Sequence, residues 1–496
     1  MTTSDHSDDL VERIFAYDVL KDLDRAALLK ARDASQPIEK LNAPLLVQRN
    51  GVVQQDSRIT QIPKQGIVID TPGSYTFAGD LTWTPEPSAC AAITIVCSDV
   101  ILDLGGFSLT ANIEDNQHQI VGILIHGAEE LSAVTVRNGV LADMCFYGIH
   151  AHGVEGLSIE NVTIDGLSFA NLDVRFMTPA GIHVNTARNL NIAHCTVQNL
   201  DVTADGSAGI QVLNTQGGNV RSCLLSQFVN HDGAVQGYSY LKSENIATTN
   251  CVSSHFQSHF NGNILTMGHT VLGFVPILCM NLIYENCSAA NMTGCCDDCH
   301  GMSVFIDALV VVNNFTASGI TDGVAASNSG AKATGLEVYG AAVSLNNCAV
   351  SNITAIRPQD KQGAGFSAWG YAIKFNGCVA SQVIAVDEHG QTSHALGYGV
   401  GFGWAPDPRP VFRDVGAVKV EYTDCMASDC QVGFDTWFHI DSTWTRTRFA
   451  NCEIGMLVEP GGKRTLSANP CSECNPPLKT VLTNIAHGNT YPGSGS

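Results

Sequence analysis

Short runs in which apolar and polar residues alternate recur along most of the chain. Gly148-Ile-His-Ala-His, Gly181-Ile-His-Val-Asn, Gly209-Ile-Gln-Val-Leu, Gly237-Tyr-Ser-Tyr-Leu, Gly301-Met-Ser-Val-Phe, Gly335-Leu-Glu-Val-Tyr, Gly370-Tyr-Ala-Ile-Lys and Gly433-Phe-Asp-Thr-Trp all start on glycine. A period of two marks a strand with one buried face. A second set, including Leu157-Ser-Ile-Glu, Leu190-Asn-Ile-Ala, Val343-Ser-Leu-Asn and Val418-Lys-Val-Glu, stands a few residues before a short motif such as Asn161-Val-Thr, Asn250-Cys-Val or Asn347-Cys-Ala.

The middle residues of that motif are Val162, Cys195, Cys223, Cys251, Cys287, Phe315, Cys348, Cys378, Cys425 and Cys452, so eight of the 18 cysteines share one repeat position. Their spacings are 33, 28, 28, 36, 28, 33, 30, 47 and 27 residues, a fixed core with insertions of variable length. Such a unit cannot bury its own apolar face, so neighbouring units stack and equivalent positions form ladders. Small thiols suit an interior ladder, and the Asn beside them suits a bend. Ahead of the repeats, Leu10, Ile14, Phe15, Val19, Leu23 and Leu28 lie on one apolar stripe and predict an N-terminal helical cap.

The segment Ile93-Thr-Ile-Val-Cys-Ser-Asp-Val-Ile-Leu-Asp-Leu-Gly-Gly-Phe-Ser-Leu resembles the entry coil of the pectate-lyase-like right-handed β-helix superfamily, and the later ladders resemble its following coils. The resemblance implies an all-β chain, a right-handed parallel β-helix of about 10–12 coils over residues 65–460. Residues 1–64 form the helical lead-in and 461–496 a loop and tail. Asp297-Asp-Cys-His-Gly resembles the Asp-Asp and Gly-His-Gly motifs of polygalacturonase-type hydrolases fused together. The Asn-Thr-Asp and Arg-Ile-Lys motifs of those hydrolases are absent, which argues against inverting hydrolysis. The superfamily's lyases and epimerases remove a proton beside a uronate carboxylate, with a cationic side chain or Ca²⁺ on the developing charge.

Composition narrows the partners. A formal net charge of −21 with no basic cluster excludes nucleic acid and anionic membranes as expected partners. The acidic N-terminus lacks the pattern of a signal peptide, so a cytoplasmic protein with reduced thiols is expected. A small or intracellular substrate follows from the same two features. The sequence leaves the oligomeric state open.

The long insertions fall mostly before the Gly-led strands, and stacking brings them to one side, where a rigid scaffold commonly carries its chemistry. Histidines and carboxylates there are the candidate acids and bases: His183, His231, Asp232, His255, His259, Asp298, His300 and Lys374. Arg175, Gln211, Glu337, Tyr339 and Trp437 are the candidate substrate contacts. His255-Phe-Gln-Ser-His259, Cys295-Cys-Asp-Asp-Cys-His300 and Cys471-Ser-Glu-Cys474 carry zinc-type ligands, but a CxxC supplies two ligands where a structural site needs four. No cofactor or metal site is therefore assigned, with Ca²⁺ or Zn²⁺ as the alternative. The expected function is acid–base catalysis of elimination, isomerisation or cyclisation on a small-molecule or carbohydrate substrate. The alternatives are a polysaccharide lyase, epimerase or glycoside hydrolase, and a non-catalytic carbohydrate-binding or structural solenoid.

Overall fold

The computed structural model describes residues 56–113, 120–170, 178–259, 269–295, 298–323, 332–356, 363–387, 389–392, 399–403, 419–436, 442–458 and 464–466. These residues form parallel strands and turns, with no helix among them. The stripe that predicts an N-terminal helical cap lies outside them. The described residues divide into two compact units, the first within 38–276 and 282–295 and the second within 277–281 and 296–496. The described residues of each form a right-handed parallel β-solenoid.

In the first unit the Gly-led strands stack in register, Ile123 on Ile149, Ile182, Ile210 and then Tyr238. All five are fully buried, so the apolar half of the alternation faces the interior. The second unit repeats this with larger side chains: Phe366, Phe402 and Phe434 stack at 4.7 and 4.9 Å within 12° of parallel. Parallel in-register stacking is what lets identical side chains form these ladders.

The glycine at the head of these strands is required by close approach. A Cβ on Gly181 would lie 2.4 Å from Cγ1 of Val197 and 2.9 Å from the Gly209 carbonyl; on Gly335 it would lie 2.2 Å from Cγ1 of Val350.

The motif before each cysteine is a left-handed corner. Asn161, His194, Ser222, Asn250 and Asn286 in the first unit, and Asn314, Asn347, Asp424 and Asn451 in the second, have φ between 52° and 56°. Asn and Asp tolerate this region better than other side-chain-bearing residues, which explains the recurrent Asn. The cysteines that follow face inward. Cys251 Sγ donates to the Thr249 and Val220 carbonyls at 3.3 and 3.6 Å, and Cys223 and Cys287 make the same pair of contacts one coil away. No disulfide involves the described cysteines.

Candidate functional site

The polar half of the Gly-led alternation faces away from the apolar interior. In the first unit it forms one row, Leu124, His150, His183, Gln211 and Ser239, fixed by register. His183 is 8% exposed and its ring stacks on His150 at 4.7 Å and on Tyr147 at 4.8 Å. Burial, reinforced by neighbouring histidines, pushes His150 down to about 4 and His183 down to about 3. Both imidazoles are therefore neutral near pH 7. Gln211 is the next position in the row and is half-buried.

His231 and His259 form a different group. Each follows a strand of the adjacent sheet, their rings are 5.6 Å apart, and His231 Nε2 lies 2.9 Å from Oδ1 of Asp201, which is exposed. Asp232 is buried at the turn, where its N–H donates to Asn230 Oδ1 at 3.2 Å. His255 occupies a further left-handed corner with φ 59°, in line with Asn199, Gln227 and Asn291, and Nδ2 of Asn291 lies 3.3 Å from its Nε2. It is exposed there and serves a bend. Within this unit the histidines thus fall into separate settings: His183 on the outward row, His231 with His259 after the adjacent strands, and His255 at a bend.

Among the described residues the second unit holds a buried charged group. The outward row here is Ser303, Glu337, Ser367 and Gly403 in register. Glu337 is 4% exposed; its Oε1 accepts from Lys332 Nζ in a short contact, and its Oε2 faces His300 Nε2 at 3.3 Å and Ser303 Oγ at 3.4 Å. His300 and Lys332 are 1% and 4% exposed. Burial raises the proton affinity of Glu337, but the attraction of the His300 ring and of the Lys332 ammonium outweighs it and holds the carboxyl below its usual range, with Asp298 opposing them. Asp298 is half-buried beside this group. With Nε2 turned to the carboxylate, the His300 tautomer that donates there leaves its lone pair on Nδ1.

Lys332 escapes a sequence reading because strict alternation puts residues five apart on opposite faces, yet it reaches Glu337 in the same strand, Lys332–Asn346. Its backbone N–H is held by Asp322 Oδ2 at 2.7 Å, before the strand settles into its pleat.

Lys374 is a correction. The Gly-led frame of its coil begins at Gly365, not Gly370: Phe366 pairs with Leu336 and Phe402, whereas Lys374 pairs with Ser344 and Glu421 on the strand that precedes the cysteine. It is exposed there, 3.3 Å from Glu421. Tyr339 sits in register between Phe305 and Trp369, but its side chain is outside the described residues, as are Arg175 and Trp437 entirely. Among the described residues no three His, Cys, Asp or Glu side chains converge as a metal site, and Cys296, Asp297, Cys471 and Cys474 lie outside them.

No protein-family model and no curated protein matches the chain. Among solved structures it is similar to the A-module of the Azotobacter vinelandii mannuronan C-5 epimerase AlgE6, with 10% identity over 80% of this chain and 91% of that one and a TM-score of 0.37. It is also similar to the tailspike protein of E. coli bacteriophage HK620 in complex with pentasaccharide, with 11% identity over 80% of this chain and 72% of that one and a TM-score of 0.38.

Proposed function

We propose that this chain is an acid–base enzyme acting on a carbohydrate by proton transfer at carbon, as in elimination or epimerisation, with Lys332, Glu337 and His300 as its working group. The observation that carries this reading is a buried ionic cluster around Glu337, which stands on the outward row of a solenoid. Packing does not call for charge at that position, since Ser303 and Ser367 fill it in the neighbouring coils. Buried ion pairs contribute little to net stability, whereas clustered, shifted ionisable groups are typical of reacting sites.

Each side chain has a part. His300 is the base, with Glu337 beside it to steady the imidazolium that forms. Lys332 supplies the positive charge that stabilises an enolate developing on a substrate carboxylate. Glu337, with both oxygens engaged, positions the other two. Asp298, half-buried beside them, returns a proton.

The test is incubation with short uronate oligosaccharides in D₂O, followed by proton NMR for loss of the signal at the carbon beside the carboxylate. Exchange reports every reaction of this class, and absorbance of the unsaturated product separates elimination from epimerisation. Wild type is expected to exchange, and His300→Asn and Lys332→Met to lose at least about 100-fold in rate. Exchange that persists unchanged in both variants, or none in wild type across galacturonate, mannuronate, guluronate and glucuronate oligomers, sinks the proposal.

A further inference from the structure

A cavity of about 540 Å³ opens in the first unit, where the Gly-led strands turn into the next sheet. His126, His152, Glu129, Glu130, Arg188 and Asn214 are among its lining residues. The register of Ile125 with Ala151 brings His126 and His152 side by side on successive coils, with ring centres 5.4 Å apart and planes inclined by 55°. His126 is exposed and His152 half-buried.

Charge decides what this cavity accepts. The Arg188 guanidinium is engaged by Glu130 in a short contact and lies 3.9 Å from Glu155. The lining thus holds two carboxylates, Glu129 and Glu130, against one guanidinium, and Arg188 is further drawn to Glu155 outside the lining, which favours a cation and disfavours an anion. Imidazole nitrogen then selects among cations: it suits Zn²⁺, Cu²⁺ and Ni²⁺, whereas Ca²⁺ and Mg²⁺ require oxygen. Two imidazoles sharing a tetrahedral ion, with metal–nitrogen bonds of about 2 Å, have ring centres about 5 Å apart. The observed spacing matches.

We infer that His126 and His152 form a two-histidine site for a divalent transition metal ion of the zinc type. Water completes the coordination. Because only two protein ligands are in place, the ion keeps open positions and exchanges readily.

Calorimetric titration of the full-length protein with Zn²⁺ at neutral pH tests this, comparing wild type with His126→Ala, His152→Ala and the double variant. Wild type is expected to bind one more equivalent than the double variant, each single variant to weaken that site at least about tenfold, and melting temperatures to stay unchanged, as the positions are accessible. In parallel, adding Co²⁺ to wild type should shift or broaden the ring-proton signals of both histidines together. Equal stoichiometry and affinity in wild type and double variant, or Co²⁺ effects that spare these two rings, overturn the inference.

Discussion

Nδ1 of His183 lies 2.8 Å from Nδ1 of His150, its register partner on the preceding coil, with the two rings parallel within 5°. One nitrogen must carry the proton and the other the lone pair, so the two histidines are opposite tautomers. Protonating the acceptor nitrogen would bury an imidazolium and aim two N–H groups at each other in a nearly dry setting. The contact is thus built for neutral imidazoles, and it lies on the same kind of outward row that carries Glu337 in the other unit.

Stability should accordingly fall as the solution is acidified. Unfolded histidine titrates near pH 6.5, whereas folded His150 and His183 titrate at about 4 and about 3. Between these limits the unfolded chain binds protons that the folded chain refuses, so the stabilisation is complete above about pH 6.5 and drains away below it, by at most about 3 kcal/mol for His150 and about 5 kcal/mol for His183. Denaturant unfolding at pH 7 and pH 4.5 is expected to show a smaller acid loss in a His150→Gln/His183→Gln variant than in wild type. Equal losses would mean that the pair does not titrate as a neutral couple.

How much of this was readable without coordinates follows from the physics of each feature. The cysteine motif and its Asn were legible because one backbone corner with positive φ recurs in each coil and few residue types fit it, as at Asn161, Asn250 and Asn347. The Gly-led strands were legible because Gly181 and Gly335 have no room for a Cβ. The frame failed at Gly363-Ala-Gly-Phe-Ser-Ala-Trp-Gly370, where closely spaced glycines allow two readings, and Lys374 went with it. Glu337 was found as an outward residue, but its partnership with His300 spans 37 positions and depends on an insertion of unforeseeable length. Lys332 was hidden by the alternation rule that exposed the others.

The glycine ladder predicts a sharp cost for the smallest substitution. In Gly181→Ala the new methyl meets Val197 and the Gly209 carbonyl, neither of which can withdraw without moving a coil. Overpacking of this kind costs about 1–3 kcal/mol, and more where backbone must shift. Thermal melting should fall by several degrees, whereas Gly79→Ala, with open space around its Cβ, should have little effect. Comparable melting points for the two variants would contradict the stacking.

Thiol chemistry separates the ladder from the surface. Cys90 is exposed, whereas Cys195, Cys223, Cys251 and Cys287 are at most 2% exposed. Among these five, a thiol-specific label on the native protein should modify Cys90 quickly and the ladder only after denaturation, as read by peptide mass spectrometry. Rapid native labelling of Cys251 would place the ladder somewhere other than the interior.

The Glu337 group allows stability and activity to be separated. In Glu337→Gln the ammonium of Lys332 and the ring of His300 lose their anion in a buried setting, and removing one partner of a buried ion pair costs about 3–5 kcal/mol. The double variant Lys332→Met/Glu337→Leu removes both charges and refills the space with apolar groups, so much of that loss should be recovered. Acid acts on wild type in the same sense: the lowered proton affinity of Glu337 gives stability that is present above the unfolded carboxyl value and is lost as pH falls through the folded one. Denaturant midpoints should rank wild type and the double variant together, above Glu337→Gln. If the group exists for proton transfer, the double variant will be folded and stable yet inactive in the D₂O exchange assay. A double variant that keeps wild-type exchange would show that the cluster is structural, because nothing would then remain for its charges to do.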